Sequence, residues 1–125
     1  MKNPKTFGVW GNIEKDAFWN ILPKIIDWAK DKNLDLFLTE KIISDVRAKE
    51  FQQPVINSKD KIYEMDFMLV LGGDGTFLSC ARAIENRSTP ILGIHLGDLG
   101  FLAKVTLENI FQRLDQVSNG LFTVE

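Results

Sequence analysis

Apolar residues follow two alternating patterns along this chain. Short apolar or alternating runs, which are typical of strands, occupy residues 7–10, 34–38, 67–71 and 91–94. Stretches with apolar residues at helical spacing lie at residues 14–32, 76–86 and 107–120. The run at 67–71 is apolar at every position, which indicates a strand buried on both faces. Strands that alternate with helices predict a doubly wound, mostly parallel α/β sheet with helices on both faces.

The pattern is less regular in two places. Pro23 lies inside the first helical stretch, so it either belongs to the first turn of a helix that begins near Asn20 or kinks a longer helix. Between residues 41 and 61 the apolar positions suggest one short helical face, made of Ile42, Ile43 and Val46. The residues after Pro54 predict a short edge strand, and residues 121–125 resemble the start of a further strand.

Composition is that of an ordinary globular domain. The chain has 125 residues, of which 45% are hydrophobic and 26% charged, so it can bury a real core. A net charge of −2 and a pI of about 5.4 argue against nucleic acid as a partner. No apolar run suggests a membrane span or a secretion signal. Cys80 is the only cysteine, which favours a cytoplasmic location, and the charged run at 47–50 is expected to be a solvated surface.

The segment GGDGT at residues 72–76 carries the main chemical signal. Its three glycines permit positive φ angles and let a ligand approach the backbone closely. The helix that follows presents unpaired N–H groups and a partial positive charge, which together bind anions. The segment is not a Walker A loop, because no lysine follows Gly75, and it is not a G-x-G-x-x-G dinucleotide loop.

Asp74 lies in the middle of this anion site, where a carboxylate would repel phosphate. Two chemical roles explain it: Asp74 can accept a proton from an attacking hydroxyl, or it can hold a divalent cation beside a phosphate. The structural alternative is an N-cap in a tight turn, where aspartate is equally common. The residues alone leave these interpretations open.

Two segments together resemble a known family. GGDGT is similar to the motif shared by NAD kinases, diacylglycerol and sphingosine kinases and, in a close variant, phosphofructokinases. GIHLGDLGFL, at residues 93–102, resembles the NAD kinase signature in which a strand ends in Gly-x-Asn/His-x-Gly-x-Leu-Gly-Phe. Lipid kinases have a different Gly-Asn-Asp segment there, and this chain has none. The chain therefore resembles the NAD kinases over about residues 7–125.

The resemblance implies phosphorylation of the 2′-hydroxyl of the adenosine ribose of NAD by ATP, which yields NADP. It implies Mg²⁺ or another divalent cation as cofactor, with no ligands assigned, and a homo-oligomer that binds neither nucleic acid nor membrane. Asp74 matches the catalytic proton acceptor. The NAD-binding positions are Asp74, Gly75, Leu78 and Phe101. The positions that bind ATP phosphates are Gly72, Gly73, Gly75 and Thr76.

Two alternatives remain at this point: a lipid kinase of the same superfamily, and a nucleotide-binding module without catalysis. The segment at 93–102 disfavours the lipid kinase. NAD kinases also have a second, mostly β domain with an Asn-Glu motif, and this chain ends roughly where that domain should begin. We therefore expect residues 1–125 to form the N-terminal α/β domain alone, with little or no activity in isolation.

Overall fold

A computed structural model describes residues 5–84, 89–96 and 112 of the chain. Within these residues the strands are β1 (Thr6–Gly11), β2 (Asp35–Thr39), β3 (Val55–Ile56), β4 (Phe67–Gly72) and β5 (Ile91–His95). The helices are α1 (Asp16–Asp31), α2 (Glu40–Ile43), α3 (Lys59–Tyr63) and α4 (Asp74–Ile84), with a 3₁₀ turn at Val46–Ala48.

The five strands form one parallel sheet in the order β3-β2-β1-β4-β5. This is the doubly wound order, in which the chain moves outward from β1 and then returns to build the other half of the sheet from β4. The predicted fold class is confirmed. The direction of winding changes between β1 and β4, and in such sheets ligands bind in the crevice beyond the carboxyl ends of the strands at that point.

Alternate residues of the central strands enter two hydrophobic cores, one on each face of the sheet. On one face, Phe7 of β1 and Leu69 of β4 belong to the core that includes α1 and α2. On the other face, Met68 and Val70 of β4 belong to the core that includes α3 and α4. All of β4 is buried, as its apolar run predicts. Each fully buried aliphatic side chain stabilises the fold by about 1.5–3 kcal/mol relative to an exposed one.

Helix α1 decides between the two interpretations of Pro23. The helix begins at Asp16 and continues through Pro23, so a helix that begins near Asn20 is wrong. Pro23 is exposed, whereas Leu22 and Ile25 beside it are fully buried. The buried face of α1 stabilises the helix, and this offsets the backbone hydrogen bond that a proline removes.

The segment between β2 and β4 is only partly as predicted. β3 is an edge strand after Pro54, as expected. The predicted three-residue helical face is wrong, because α2 ends at Ile43 and Val46 is 81% exposed. The reason is local: the Asp45 carboxylate accepts a hydrogen bond from the Arg47 N–H and starts a separate 3₁₀ turn.

Helix α4 and strand β5 complete the described fold. Helix α4 begins at Asp74, earlier than the predicted residue 76, and β5 follows the predicted run at 91–94. The helix predicted at 107–120 and the strand at 121–125 lie outside the described residues, apart from Gln112, which is helical. None of the helices in the described ranges is both long and apolar enough to cross a membrane.

Candidate active site

Backbone hydrogen bonds join the carboxyl ends of β1, β4 and β5. The Asn12 N–H donates to the Leu71 carbonyl at 3.0 Å, and the Leu96 N–H donates to the Gly72 carbonyl at 2.9 Å. The loops that leave these strands therefore start from fixed positions. Residues 11–15, here called the first loop, leave β1 directly beside residues 72–76, here called the glycine-rich loop.

Two glycines let α4 begin close to the sheet. A Cβ atom at Gly72 would lie 2.5 Å from Thr76 Oγ1, and one at Gly93 would lie 3.0 Å from Phe77 Cδ2. Thr76 thus packs over Gly72 in β4, and Phe77 packs over Gly93 in β5. These contacts fix the position of the first turn of α4, so a larger residue at Gly72 would displace it.

Gly75 has a different role from Gly72. Apart from its neighbours in the helix, no atom of the described residues lies within 4 Å of a Cβ atom built at Gly75, and the residue is exposed. Neither glycine has a φ angle in the left-handed region, so neither uses the positive φ that glycine permits. Gly75 therefore leaves open space at the start of α4, and the N–H groups at a helix start attract anions.

Asp74 is the first residue of α4 and is exposed. The Gly73 carbonyl accepts a hydrogen bond from the Phe77 N–H at 3.0 Å, so Gly73 occupies the N-cap position and the cap interpretation of Asp74 is wrong. Within the described part of the chain, the Asp74 carboxylate makes no hydrogen bond and no ion pair. Among these residues, therefore, none competes with a ligand for the carboxylate.

The face of α4 that carries Asp74 also carries Leu78, one helical turn further on. Leu78 is 53% exposed, and among the described large hydrophobic residues only Val46 also has such exposure. The opposite face of α4 is buried in the core through Cys80 and Ile84. Burial raises the pKa of the Cys80 thiol to about 12, so Cys80 packs as a small apolar residue and is not a nucleophile.

Several polar groups of the first loop are hydrogen-bonded to other groups of the protein. Asn12 Oδ1 accepts a hydrogen bond from the Glu14 N–H at 3.1 Å. The Ile13 carbonyl accepts two hydrogen bonds, from Trp19 Nε1 at 2.8 Å and from Arg47 Nη2 at 2.9 Å. This loop therefore forms a fixed border beside the glycine-rich loop.

The charged residues of the run at 47–50 are exposed, as expected, and Arg47 also binds Asp45. Arg47 Nε lies 3.0 Å from Asp45 Oδ1, and Nη2 lies 3.1 Å from Oδ2. The hydrogen bond from the guanidinium lowers the pKa of the Asp45 carboxyl, and the carboxylate in turn raises the pKa of Arg47. Each group thus favours the charged form of the other.

Residues 7–122 match the family described as the ATP-NAD kinase N-terminal domain. This chain belongs to that family. An NAD kinase of Thermoanaerobacter sp. (strain X514) is 35% identical over 121 residues, which are 97% of this chain and 42% of the relative. An NAD kinase of Hydrogenovibrio crunogenus (strain DSM 25203 / XCL-2) is 33% identical over 118 residues, 94% of this chain and 40% of that relative. The chain thus spans less than half the length of these curated relatives.

The fold of this family member has a counterpart among solved structures. A crystal structure of yeast NADH kinase complexed with NADH superposes with a TM-score of 0.72 over 97% of this chain and 40% of that chain. The two sequences are 17% identical, so the similarity shows a shared fold. It agrees with the parallel sheet described above.

The structure brings most of the predicted site residues of this family member into one loop and helix turn: Gly72, Gly73, Asp74, Gly75, Thr76 and Leu78. Phe101 lies outside the described residues. Sequence reasoning missed the first loop and Arg47. The expectation that strand ends meet at one edge could have drawn attention to Asn12, but no local pattern links Arg47 to Ile13, 34 positions away.

The described residues can hold a metal ion only together with a bound ligand that supplies most of the coordinating atoms. No group of three or more His, Cys, Asp or Glu residues within the described ranges could hold an ion. The glycine-rich loop contributes one carboxylate, Asp74. Mg²⁺ commonly binds through one or two carboxylates together with substrate phosphates and water, and this chain fits that mode.

Proposed function

We propose that this chain is the N-terminal domain of an NAD kinase, which transfers a phosphoryl group from ATP to the 2′-hydroxyl of the adenosine ribose of NAD and yields NADP. One observation carries the proposal. In a member of the ATP-NAD kinase family, Asp74 is exposed, without a partner among the described residues, and lies at the start of a helix that is open to anions.

In this proposal Asp74 is the general base. It accepts the proton of the ribose 2′-hydroxyl while that oxygen attacks the γ-phosphorus of ATP. A bond forms between the 2′-oxygen and phosphorus, the bond from phosphorus to the β–γ bridging oxygen breaks, and ADP leaves. Protein kinases use an aspartate in the same role. A base of this kind must reach its substrate, which an exposed and unpaired carboxylate can do.

The same turn of α4 binds both nucleotides. The N–H groups at the helix start and the Thr76 hydroxyl bind the phosphates of ATP at Gly72, Gly73 and Gly75. Asp74 and Gly75 contact the ribose of NAD. The exposed Leu78, together with Phe101, provides apolar surface for its adenosine end.

A divalent cation, Mg²⁺ or an equivalent, completes the site. The Asp74 carboxylate would help to hold it, directly or through water, together with the phosphates of ATP. When bound, the ion neutralises phosphate charge, which in a Walker A loop is the task of a lysine that this loop lacks.

We also propose that a second, β-rich domain with an Asn-Glu motif completes the NAD pocket, and that the protein works in the cytoplasm as a homo-oligomer. The chain spans 42% of the Thermoanaerobacter enzyme, which supports a two-domain enzyme. Residues 1–125 alone should therefore have little or no activity.

The test is an assay of NADP formation from NAD and ATP with Mg²⁺, for the full-length protein and for the 125-residue chain. The full-length protein should turn over NAD, and the isolated chain should be inactive or nearly so. Diacylglycerol serves as the competing substrate. Phosphorylation of diacylglycerol without phosphorylation of NAD would contradict the proposal.

A further inference from the structure

The position of the first loop depends on a residue from another part of the chain. The first loop leaves β1 where Gly11 pairs with Leu71, one residue before the glycine-rich loop. The Asn12 N–H then donates to the Leu71 carbonyl. A shift of the first loop is therefore transmitted directly to the strand end that presents Gly72 and Asp74.

Arg47, in the 3₁₀ turn that follows β2 and α2 in the chain, holds this loop. Its Nη2 group donates to the Ile13 carbonyl at 2.9 Å, and its guanidinium lies 4.6 Å from the centre of the Trp19 ring. Trp19 Nε1 donates to the same carbonyl at 2.8 Å. Both lone pairs of the Ile13 carbonyl are thus occupied, and the two donors are held against each other by a cation–π contact.

Asp45 fixes the orientation of Arg47. The carboxylate accepts hydrogen bonds from the side chain and from the backbone N–H of Arg47, so the guanidinium plane has one preferred direction. A bidentate fork of this kind is specific to arginine, because a lysine ammonium is a point charge that cannot bind both carboxylate oxygens in a plane.

We infer that Arg47 is a positioning residue for nucleotide binding, which holds the first loop as the border of the crevice next to Asp74. The inference rests on the function proposed above for its substrate, and it assigns Arg47 no contact with the reacting atoms. The Arg47 side chain is 45% exposed, and exposed ion pairs contribute little to the free energy of unfolding. Its effect should therefore be on affinity rather than on stability.

The test is the Arg47→Met variant in the full-length protein, which keeps an unbranched apolar stem and removes the guanidinium. We expect KM for ATP or NAD to rise about 5- to 20-fold, because binding depends on the placement of the loop, while kcat stays within about 3-fold. The thermal midpoint should stay near that of the wild type. Arg47→Lys should not restore the affinity, because the fork is absent.

Lys49→Met is the matched control. Lys49 is an exposed cation just after the same 3₁₀ turn, without a partner among the described residues, so its removal should leave both KM values unchanged. Trp19→Phe keeps the ring and removes the second donor to Ile13. Combined with Arg47→Met, it should raise KM by more than the product of the single effects, because both donors serve one carbonyl.

A binding measurement separates this inference from the proposed function. If the wild type does not phosphorylate NAD, the proposed function fails, and the affinity of the wild type and of Arg47→Met for ADP then decides the inference. If the enzyme is inactive, an affinity of Arg47→Met for ADP equal to that of the wild type would overturn the role of Arg47. If the enzyme is active, KM values of Arg47→Met equal to those of the wild type would overturn it. A lower thermal midpoint with unchanged KM would show a purely structural role and would also overturn it.

Discussion

The two loops that border the crevice begin in the same way. Each follows a central strand, and each starts at a glycine, Gly11 or Gly72, that lies beneath a side chain of the following helix. Each leads into a helix whose first residue is an exposed aspartate, Asp16 in α1 and Asp74 in α4. These shared backbone features alone would therefore rank the two loops as equivalent candidates.

The loops differ in how their polar groups are used. In the first loop, the side chain of Asn12 and the carbonyl of Ile13 are bonded to other groups of the protein. In the glycine-rich loop, Asp74 has no partner within the described ranges and Gly75 leaves open space. A loop whose polar groups are satisfied internally serves as a fixed border, whereas a loop with free polar groups offers them to a ligand.

The largest expected effect separates the two aspartates. Asp74→Asn in the full-length protein should lower kcat about 10²- to 10⁴-fold, because it removes the proposed general base, with KM changed only slightly. Asp16→Asn, the same substitution at the same helix position, should leave kcat unchanged. The measurement is steady-state NADP formation. Near-normal turnover by the Asp74 variant would remove that residue from the mechanism.

The next effect concerns the packing of the helix start. Gly72→Ala should lower the free energy of unfolding by about 1–3 kcal/mol, because the new methyl group overlaps the Thr76 side chain. Urea-induced unfolding measures this loss of free energy of unfolding. Adding Thr76→Ala should recover most of the loss, and a double variant as unstable as the single one would show that the contact is not the cause.

A smaller effect tests the open space at Gly75. Gly75→Ala should keep or slightly raise stability, since alanine favours a helix over glycine by about 0.5–1 kcal/mol. It should nevertheless raise KM for ATP about 3- to 10-fold, because the methyl group would occupy the space proposed for phosphate. Unchanged KM values would mean that no ligand approaches the backbone there.

The smallest expected effect is the pH dependence of the stability that the Asp45–Arg47 pair contributes beside the first loop. The bond from Arg47 lowers the pKa of Asp45 in the folded protein, so the stability from this carboxylate is complete above its unfolded pKa and is lost as the pH falls through the folded value. The difference in urea midpoint between wild type and Asp45→Asn should thus be constant near neutral pH and disappear in acid. A difference that grew on acidification would contradict this sign.

The sequence by itself determined the order of strands and helices outside residues 41–61, the buried central strand β4 and the loop that carries Asp74. These features follow from periodicity and from short glycine-rich segments, which depend on neighbouring residues. Even the doubly wound topology followed from the alternation of elements, because few arrangements bury parallel strands on both faces.

Only the tertiary structure decided which residue caps α4, why Gly72 must be small and why the first loop differs from the glycine-rich loop. Gly72 must be small because Thr76 packs over it, while the next helix residue, Phe77, packs over Gly93 in the neighbouring strand. The first loop depends on Arg47, which lies 34 positions from its partner Ile13. Contacts of this kind leave no periodic trace in the chain, because they form only when the sheet brings distant segments to the same edge.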